Sequence, residues 1–296
     1  ITTPLPMRWH RCLTRPKYET GWRPHRKLPV SRCKIGMALR AWWLTCSTAL
    51  QRMPKMTAED DMALATRLAQ EAGDILLGYW SAREALTIAT KRAGDFVSEA
   101  DRSAEQHLRD GFASARPGDG WLGEETGAAP GSGRRWIVDP LDGTTNFLRG
   151  IGHWAVSVAL EVDGDLVLGV VHDPVKGETF AASKGTGTKL NGQPVVVAQT
   201  ADLSAALFGT GIPFGTMAYI GDHAGDISRL MPKCAGVRRM GAAALDLAYV
   251  ASGRLDGFWE RRLQLWDKCQ CQPLCARNHA GAPPLSVPQK QGARAA

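Results

Sequence analysis

Apolar side chains recur at helical spacing from Thr57 onward. Met62, Leu64, Leu68, Ala72, Ile75, Leu76 and Tyr79 fall on one stripe, and Thr57 with Asp60 supplies an N-terminal cap. This predicts an amphipathic opening helix. A second helix is expected from near Ala100 through Leu108 to Phe112, closed by the turn signal Arg116-Pro117-Gly118-Asp119-Gly120. The period then changes. Arg135 to Asp139 is a short apolar run ending in an acid, Trp154 to Val162 alternates, Asp163-Gly164 turns, and Leu166 to His172 continues the meander. Glu178 to Ser183 adds a strand, and Asn191-Gly192 is a two-residue hairpin signal before Val195 to Ala198. An antiparallel sheet of at least five strands follows from this reading. Beyond it, Ala206 to Thr210 reads as a strand, Gly241 to Ser252 as an Ala-rich helix and Gly257-Phe258-Trp259-Glu260 as a strand start. Helix and sheet layers together indicate α+β, or a layered α/β sandwich.

Neither end shares this texture. Residues 1–55 hold four of the ten Trp and several Pro with no sustained period, and after Asp267 the chain becomes rich in Pro, Gln, Ala and Arg. The expected organisation is a basic, disordered extension over 1–55, a folded domain over 56–267 and a disordered tail over 268–296. Met56 is the expected natural start; a transit-like role for the extension is disfavoured because Pro and Trp interrupt any amphipathic helix. The tail reads as a shifted reading frame, a chimeric sequence or a spliced variant.

Charge changes the picture once it is divided. The net +7 hides +11 over residues 1–55, −8 over 56–267 and +4 over 268–296. The acidic middle suits a site that collects cations and weighs against nucleic acid as a partner. Trp9, Trp22, Trp42 and Trp43 could stack bases, but a solvated extension is the expected state of that segment. Cys12, Cys33 and Cys46 lie before the middle segment and Cys269, Cys271 and Cys275 after it, with Cys234 alone between. A disulfide framework is therefore not needed, and a cytoplasmic location is expected. No apolar run approaches the ~18 residues of a membrane span. A zinc site from Cys269, Cys271, Cys275 and His279 is set aside because its cysteine spacing is not the usual one.

The sharpest chemical feature is Asp139-Pro140-Leu141-Asp142-Gly143-Thr144-Thr145-Asn146-Phe147. Two carboxylates at a strand end, with the Leu141 carbonyl between them, can form part of the oxygen shell that Mg²⁺ requires at about 2.0–2.1 Å. The amides of Gly143 and Thr144, at the start of a helix, can hold phosphate oxygens. Taken alone, the segment could also be an Asp-Pro turn followed by a capped loop. It is preceded by Lys91, by Asp95-Phe96-Val97-Ser98-Glu99-Ala100-Asp101 and by Gly123-Glu124-Glu125, and followed by Trp266-Asp267. His107, His153, His172 and His223 show no ligand-like spacing and are read as surface or packing residues.

In that order these motifs resemble the inositol monophosphatase family, and Gly241 to Gly253 with Asp256-Gly257-Phe258-Trp259-Glu260 resembles its substrate-side helix and strand. The resemblance implies a layered αβαβα sandwich and hydrolysis of a phosphate monoester, most of all myo-inositol monophosphate, with two to three Mg²⁺ ions and sensitivity to lithium. It implies that Glu124, Asp139 and the Leu141 carbonyl hold one ion, and Asp139, Asp142 and Asp267 a second. A third, weaker ion would sit near Glu124. Thr144 and Asp101 would orient and deprotonate the attacking water, with Lys91 as a positive neighbour. Asp142, Gly143, Thr144, Ala243, Glu260 and Asp267 would line the substrate. A homodimer is also implied. Sister substrates of the superfamily are fructose bisphosphate, histidinol phosphate and 3′-phosphoadenosine nucleotides, and a non-catalytic RNA- or transcription-associated role is the alternative of a different class. The chain departs from the family after Asp267, where an Ala/Gly-rich helix and a further strand and helix are missing. An incomplete C-terminal layer is therefore expected. Each buried side chain lost there removes about 1.5–3 kcal/mol from a domain stability of ~5–15 kcal/mol, which puts the activity of this chain in question.

Overall fold

Leu64, Ala65, Leu68, Ala69, Ala72 and Leu76 are buried along one stripe of helix α1 (Ala58–Leu86), as the spacing of apolar residues predicts. Helix α2 (Ala93–Ala115) begins before the expected Ala100 and buries Ala100, Ala104, Leu108 and Phe112 at four-residue intervals. The two helices pack closely enough that a Cβ on Gly111 would stand 2.4 Å from Leu68 Cδ2. The structure is a computed structural model that describes residues 58–86, 93–212, 217–261, 263–270 and 273–274. Lys91 and the expected extension over 1–55 lie outside the described residues.

Both helices cover one face of an eight-stranded sheet in the order β2-β1-β3-β4-β5-β6-β7-β8. Its strands are β1 (Gly120–Gly123), β2 (Gly127–Ala129), β3 (Arg134–Asp142), β4 (Ala155–Val162), β5 (Asp165–Asp173), β6 (Glu178–Ser183), β7 (Gly187–Leu190) and β8 (Gln193–Pro194). All pairings are antiparallel except that of β1 with β3. Two hairpins turn through adjacent positive φ angles, 51° and 87° at Asp163-Gly164 and 48° and 80° at Asn191-Gly192, which matches the right-handed twist of the strands they join. Alternation divides each strand between two covered faces. Trp136 and Val138 of β3, with Val156, Val158 and Leu160 of β4, face α1 and α2, and Phe112 stacks on Trp136 at 4.0 Å between ring centroids.

The opposite face carries Ile137, Ala155, Ala159, Val171, Phe180 and Ala182. A short helix α3 (Thr144–Arg149) follows β3, helix α4 (Ile220–Leu230) was not foreseen, and the Ala-rich segment forms helix α5 (Ala243–Ala251). Helix α5 lies on this face through Ala244, Leu245, Ala248 and Ala251. Its other side meets a three-stranded parallel sheet, ordered β10-β9-β11, of β9 (Leu207–Thr210), β10 (Gly236–Arg238) and β11 (Gly257–Trp259). The architecture is the expected α+β layered sandwich.

Two local expectations are corrected. Val195 to Ala198 is not a strand: the ladder stops at Pro194, which has no N–H to donate, after one further bond from Val195 N to Thr188 O of 3.0 Å. Nor does the chain leave the core at Asp267. Helix α6 (Leu265–Lys268) is followed by Cys269, Gln270 and Leu274, all buried. Cys269 packs with Ile137 and Ala159, and Leu274 joins the α5 core. A Cβ on Gly169 would stand 2.3 Å from Gln270 O, so β5 and this turn are in backbone contact, and Thr188 Oγ1 donates to Leu274 O at 2.5 Å. Apolar side chains suffice for this seat without the periodicity of a longer helix. Among the described residues, no helix is long and apolar enough to cross a membrane.

Candidate active site

The β3 strand ends in a bulge that sets the geometry of the acids. Asp139 pairs with Ser157 and Asp142 with Ala155, so three steps on β3 oppose two on β4. Without the extra residue, acids three apart would point to opposite faces; the bulge re-aims one of them. Pro140 fits here because it has no N–H to lose. Asp139 Oδ1 accepts the Leu141 amide at 3.0 Å, and Thr144 Oγ1 donates to Leu141 O at 3.1 Å. Gly143 between them has φ 97°, and a Cβ there would meet His153 O at 3.0 Å and Ala242 and Trp154 Cβ atoms at 3.1 Å. Both its conformation and its surroundings require glycine.

Asp142 reaches across to the start of α5, where the amides of Ala243 and Ala244 donate to its two oxygens at 3.1 and 2.7 Å. Opposite β3, strand β1 delivers Glu124, whose amide donates to Val138 O at 3.2 Å. The Glu124 and Asp139 carboxyls are close enough for each to shift the other's proton affinity. Asp101 is buried on α2 beside Glu124 and Glu125. Asp267 accepts the Gln264 amide at 2.7 Å as part of a reciprocal cap on α6, and its charge acts on Glu124, Asp139, Asp142 and Glu260. Glu260, after β11, packs so tightly that a Cβ on Gly211 would stand 1.9 Å from Glu260 Oε2.

These acids raise one another's proton affinity. Burial, then the charge of Asp267, pushes Asp142 up to about 8. Burial, then Glu125 and Glu124, pushes Asp101 up to about 8. Glu260 is pushed up to about 7, first by burial and then by Asp267. Burial followed by the Glu124 charge holds Asp139 well above the carboxylate range, and burial also raises Glu124. Asp139, Asp142 and Asp267 are meanwhile each satisfied by backbone amides. Among the described residues, no three His, Cys, Asp or Glu side chains stand as a set able to hold a metal ion as placed. Glu124, Asp139, Asp142 and Asp267 are thus electrostatic neighbours whose carboxyls have not closed to a common centre. The set nevertheless fits a hard cation. Its donors are all oxygen, burial and mutual repulsion raise the acids in the absence of a balancing positive charge, and the Leu141 carbonyl lies beside them.

A family model described as the inositol monophosphatase family matches residues 58–276. The chain belongs to the inositol monophosphatase family. It is 46% identical over 199 residues to an inositol-1-monophosphatase of Rhizobium meliloti, covering 67% of this chain and 75% of that protein. It is 42% identical to the Nus factor SuhB of Pseudomonas aeruginosa, covering 69% and 78%. Among solved structures, the extragenic suppressor protein suhB of Bartonella henselae superposes with a TM-score of 0.67 at 40% identity, covering 72% of this chain and 83% of that one.

Several residues of this inositol monophosphatase-family chain shape the site through contacts that no local sequence signal discloses. Asn146 Nδ2 donates to His153 O at 2.7 Å and Met240 O at 2.8 Å, stitching α3 to the approach of α5. His153 Nε2 lies 2.8 Å from Asp246 Oδ1, so this histidine is a buried partner of α5. Glu105 is wholly buried beneath the loop that carries Glu124. Only their distant partners, brought close by the fold, mark them.

Proposed function

We propose that the chain is a phosphatase that hydrolyses a phosphate monoester, with myo-inositol monophosphate as substrate and Mg²⁺ as cofactor. The observation that carries the reading is the convergence of Glu124, Asp139, Asp142 and Asp267, from three separate segments, into one neighbourhood of mutually raised acids. In it, Glu124, Asp139, the Leu141 carbonyl, Asp142 and Asp267 would hold two to three Mg²⁺. Bound there, the cation would neutralise the acids, polarise the phosphate and lower the pKa of a water.

The protein's own groups do the rest. The Gly143 and Thr144 amides bind phosphate oxygens at the mouth of α3. Thr144 Oγ1, which in the structure donates to Leu141 O, orients the attacking water. Asp101, buried beside Glu124 and Glu125, takes its proton. Glu260 accepts hydrogen bonds from a polyol and Ala243 forms the adjoining wall, which favours an inositol phosphate over bisphosphate or nucleotide substrates. Lys91 is proposed as the positive neighbour of this site.

Phosphate release from inositol 1-phosphate, with and without Mg²⁺, tests the reading. Turnover that needs Mg²⁺ and is inhibited by lithium supports it, and a clear preference for fructose bisphosphate, histidinol phosphate or a 3′-phosphoadenosine nucleotide reassigns the substrate. A second reading, a transcription-associated role, is motivated by the 42% identity to a relative named Nus factor SuhB. Salt-dependent RNA binding in the absence of any phosphatase activity would favour it.

A further inference from the structure

Glu105 sits one helical turn beyond Asp101 on α2, so both carboxylates project from the same face towards the Glu124 loop. It is fully buried. A buried carboxylate is costly unless its oxygens are satisfied, and here the donors all come from one short segment. Glu125 N donates to Oε2 at 2.9 Å, Thr126 N donates to Oε1 at 2.9 Å, and Thr126 Oγ1 makes a short bond to the same Oε1. The Trp121 indole N–H donates to Thr126 Oγ1 at 3.0 Å, extending the chain of bonds back into β1. The glycine of Gly123-Glu124-Glu125 is explained by the same arrangement: a Cβ there would stand 2.2 Å from Glu105 Oε1 and 2.7 Å from Trp121 Nε1.

Glu124 is therefore held from two sides. Its own amide is tied to Val138 O of β3, and the two residues after it are tied to Glu105.

We propose that Glu105 is a positioning residue that fixes the Glu124 carboxylate against Asp139 and so sets the affinity of the Mg²⁺ site. The inference rests on the phosphatase reading above. Glu105 does not touch the ion or substrate; it acts through the backbone of Glu125 and Thr126. Hydrogen-bond partners that orient metal ligands typically carry about 10- to 100-fold in metal affinity.

The test compares the full-length wild-type chain with Glu105→Gln and Thr126→Val. Mg²⁺ binding is measured by calorimetry without substrate, and amide exchange at Glu125 and Thr126 is measured without metal. Glu105→Gln places an NH₂ group against N–H donors. It is expected to weaken Mg²⁺ binding by about 10-fold or more and to speed exchange at both amides, with exchange along the rest of α2 unchanged. Thr126→Val removes only the hydroxyl bond and is expected to weaken Mg²⁺ binding by a smaller factor in the same direction; it decides the matter should Glu105→Gln not fold. Mg²⁺ affinity equal to wild type in the folded variants overturns the role of Glu105 while leaving the phosphatase reading intact. Failure of the wild-type chain to bind Mg²⁺ sinks that reading, and the role of Glu105 with it.

Discussion

His153 and Asp246 meet at 2.8 Å between Nε2 and Oδ1, joining the loop ahead of β4 to the first turn of α5. That turn also grips Asp142 through the Ala243 and Ala244 amides. One buried pair therefore fixes the helix end on which a proposed metal ligand hangs. Asp246→Ala leaves the His153 ring nitrogen buried without its partner, and the expected loss is about 1–3 kcal/mol in denaturant unfolding. Asp246→Asn retains an acceptor oxygen and should lose less.

The raised proton affinity of the acid cluster fixes the sign of its pH response. Asp101 and Asp142 are each pushed up to about 8, first by burial. Their folded pKa values lie above the unfolded value of about 4, so the folded state holds protons that the unfolded state releases. In EDTA, the melting temperature should fall as pH rises from about 5 to 8. Mg²⁺ requires the deprotonated acids, so the rise in melting temperature it produces should grow over the same interval. Thermal melts across pH, with and without Mg²⁺, measure both slopes. A flat profile in EDTA would argue against the raised acids.

At the far end of the sheet, Asp61 is buried between two guanidinium groups. Arg116 lies at 2.7 Å and Arg134 at 2.9 Å, and Arg134 also bonds Asp119 at 2.9 Å. Removing one partner of such a buried set strands the others, so Asp61→Ala is expected to cost about 3–5 kcal/mol. Chemical denaturation reports the loss. Mg²⁺ affinity of the molecules that remain folded should be unaffected, because none of these residues reaches the acid cluster.

Gly169 and Gly78 make a matched pair of substitutions. A Cβ on Gly169 collides with the Gln270 backbone, 2.3 Å away at its oxygen, whereas Gly78 in α1 has nothing within 4 Å. Gly169→Ala should displace the turn carrying Asp267, lowering both melting temperature and Mg²⁺ affinity. Gly78→Ala should stabilise the protein by roughly 0.5–1 kcal/mol, since glycine is a poor residue in a helix interior. Melts and Mg²⁺ calorimetry on both variants distinguish the outcomes.

What the sequence disclosed follows from the range of each interaction. The stripe from Leu64 to Leu76, the alternation in β4 and the positive-φ turn at Asn191-Gly192 are local, and each appears where the pattern of residues put it. The motif from Asp139 to Asn146 announces its turn for the same reason. Helix α4 went unread, and Val195 to Ala198, apolar enough for a strand, has no partner to pair with beyond Thr188. The supports of the site were the least legible. Glu105 reaches Glu125 and Thr126, Asn146 reaches Met240, and Asp142 reaches Ala244, each across a sequence separation that no periodicity spans. Cys269 and Leu274 were hidden by the Pro- and Gln-rich composition around them, although two apolar side chains in the right places are enough to seat that turn.

The seat of the Asp267 turn on Gly169, Ser157 and Thr188 also imposes an order in time. Those three residues belong to strands synthesised well before Asp267, and the turn can dock only once its platform has formed. A nascent chain therefore carries Glu124, Asp139 and Asp142 without the fourth carboxylate. If these acids hold a cation as proposed, its capture follows the docking of this turn and comes last in maturation.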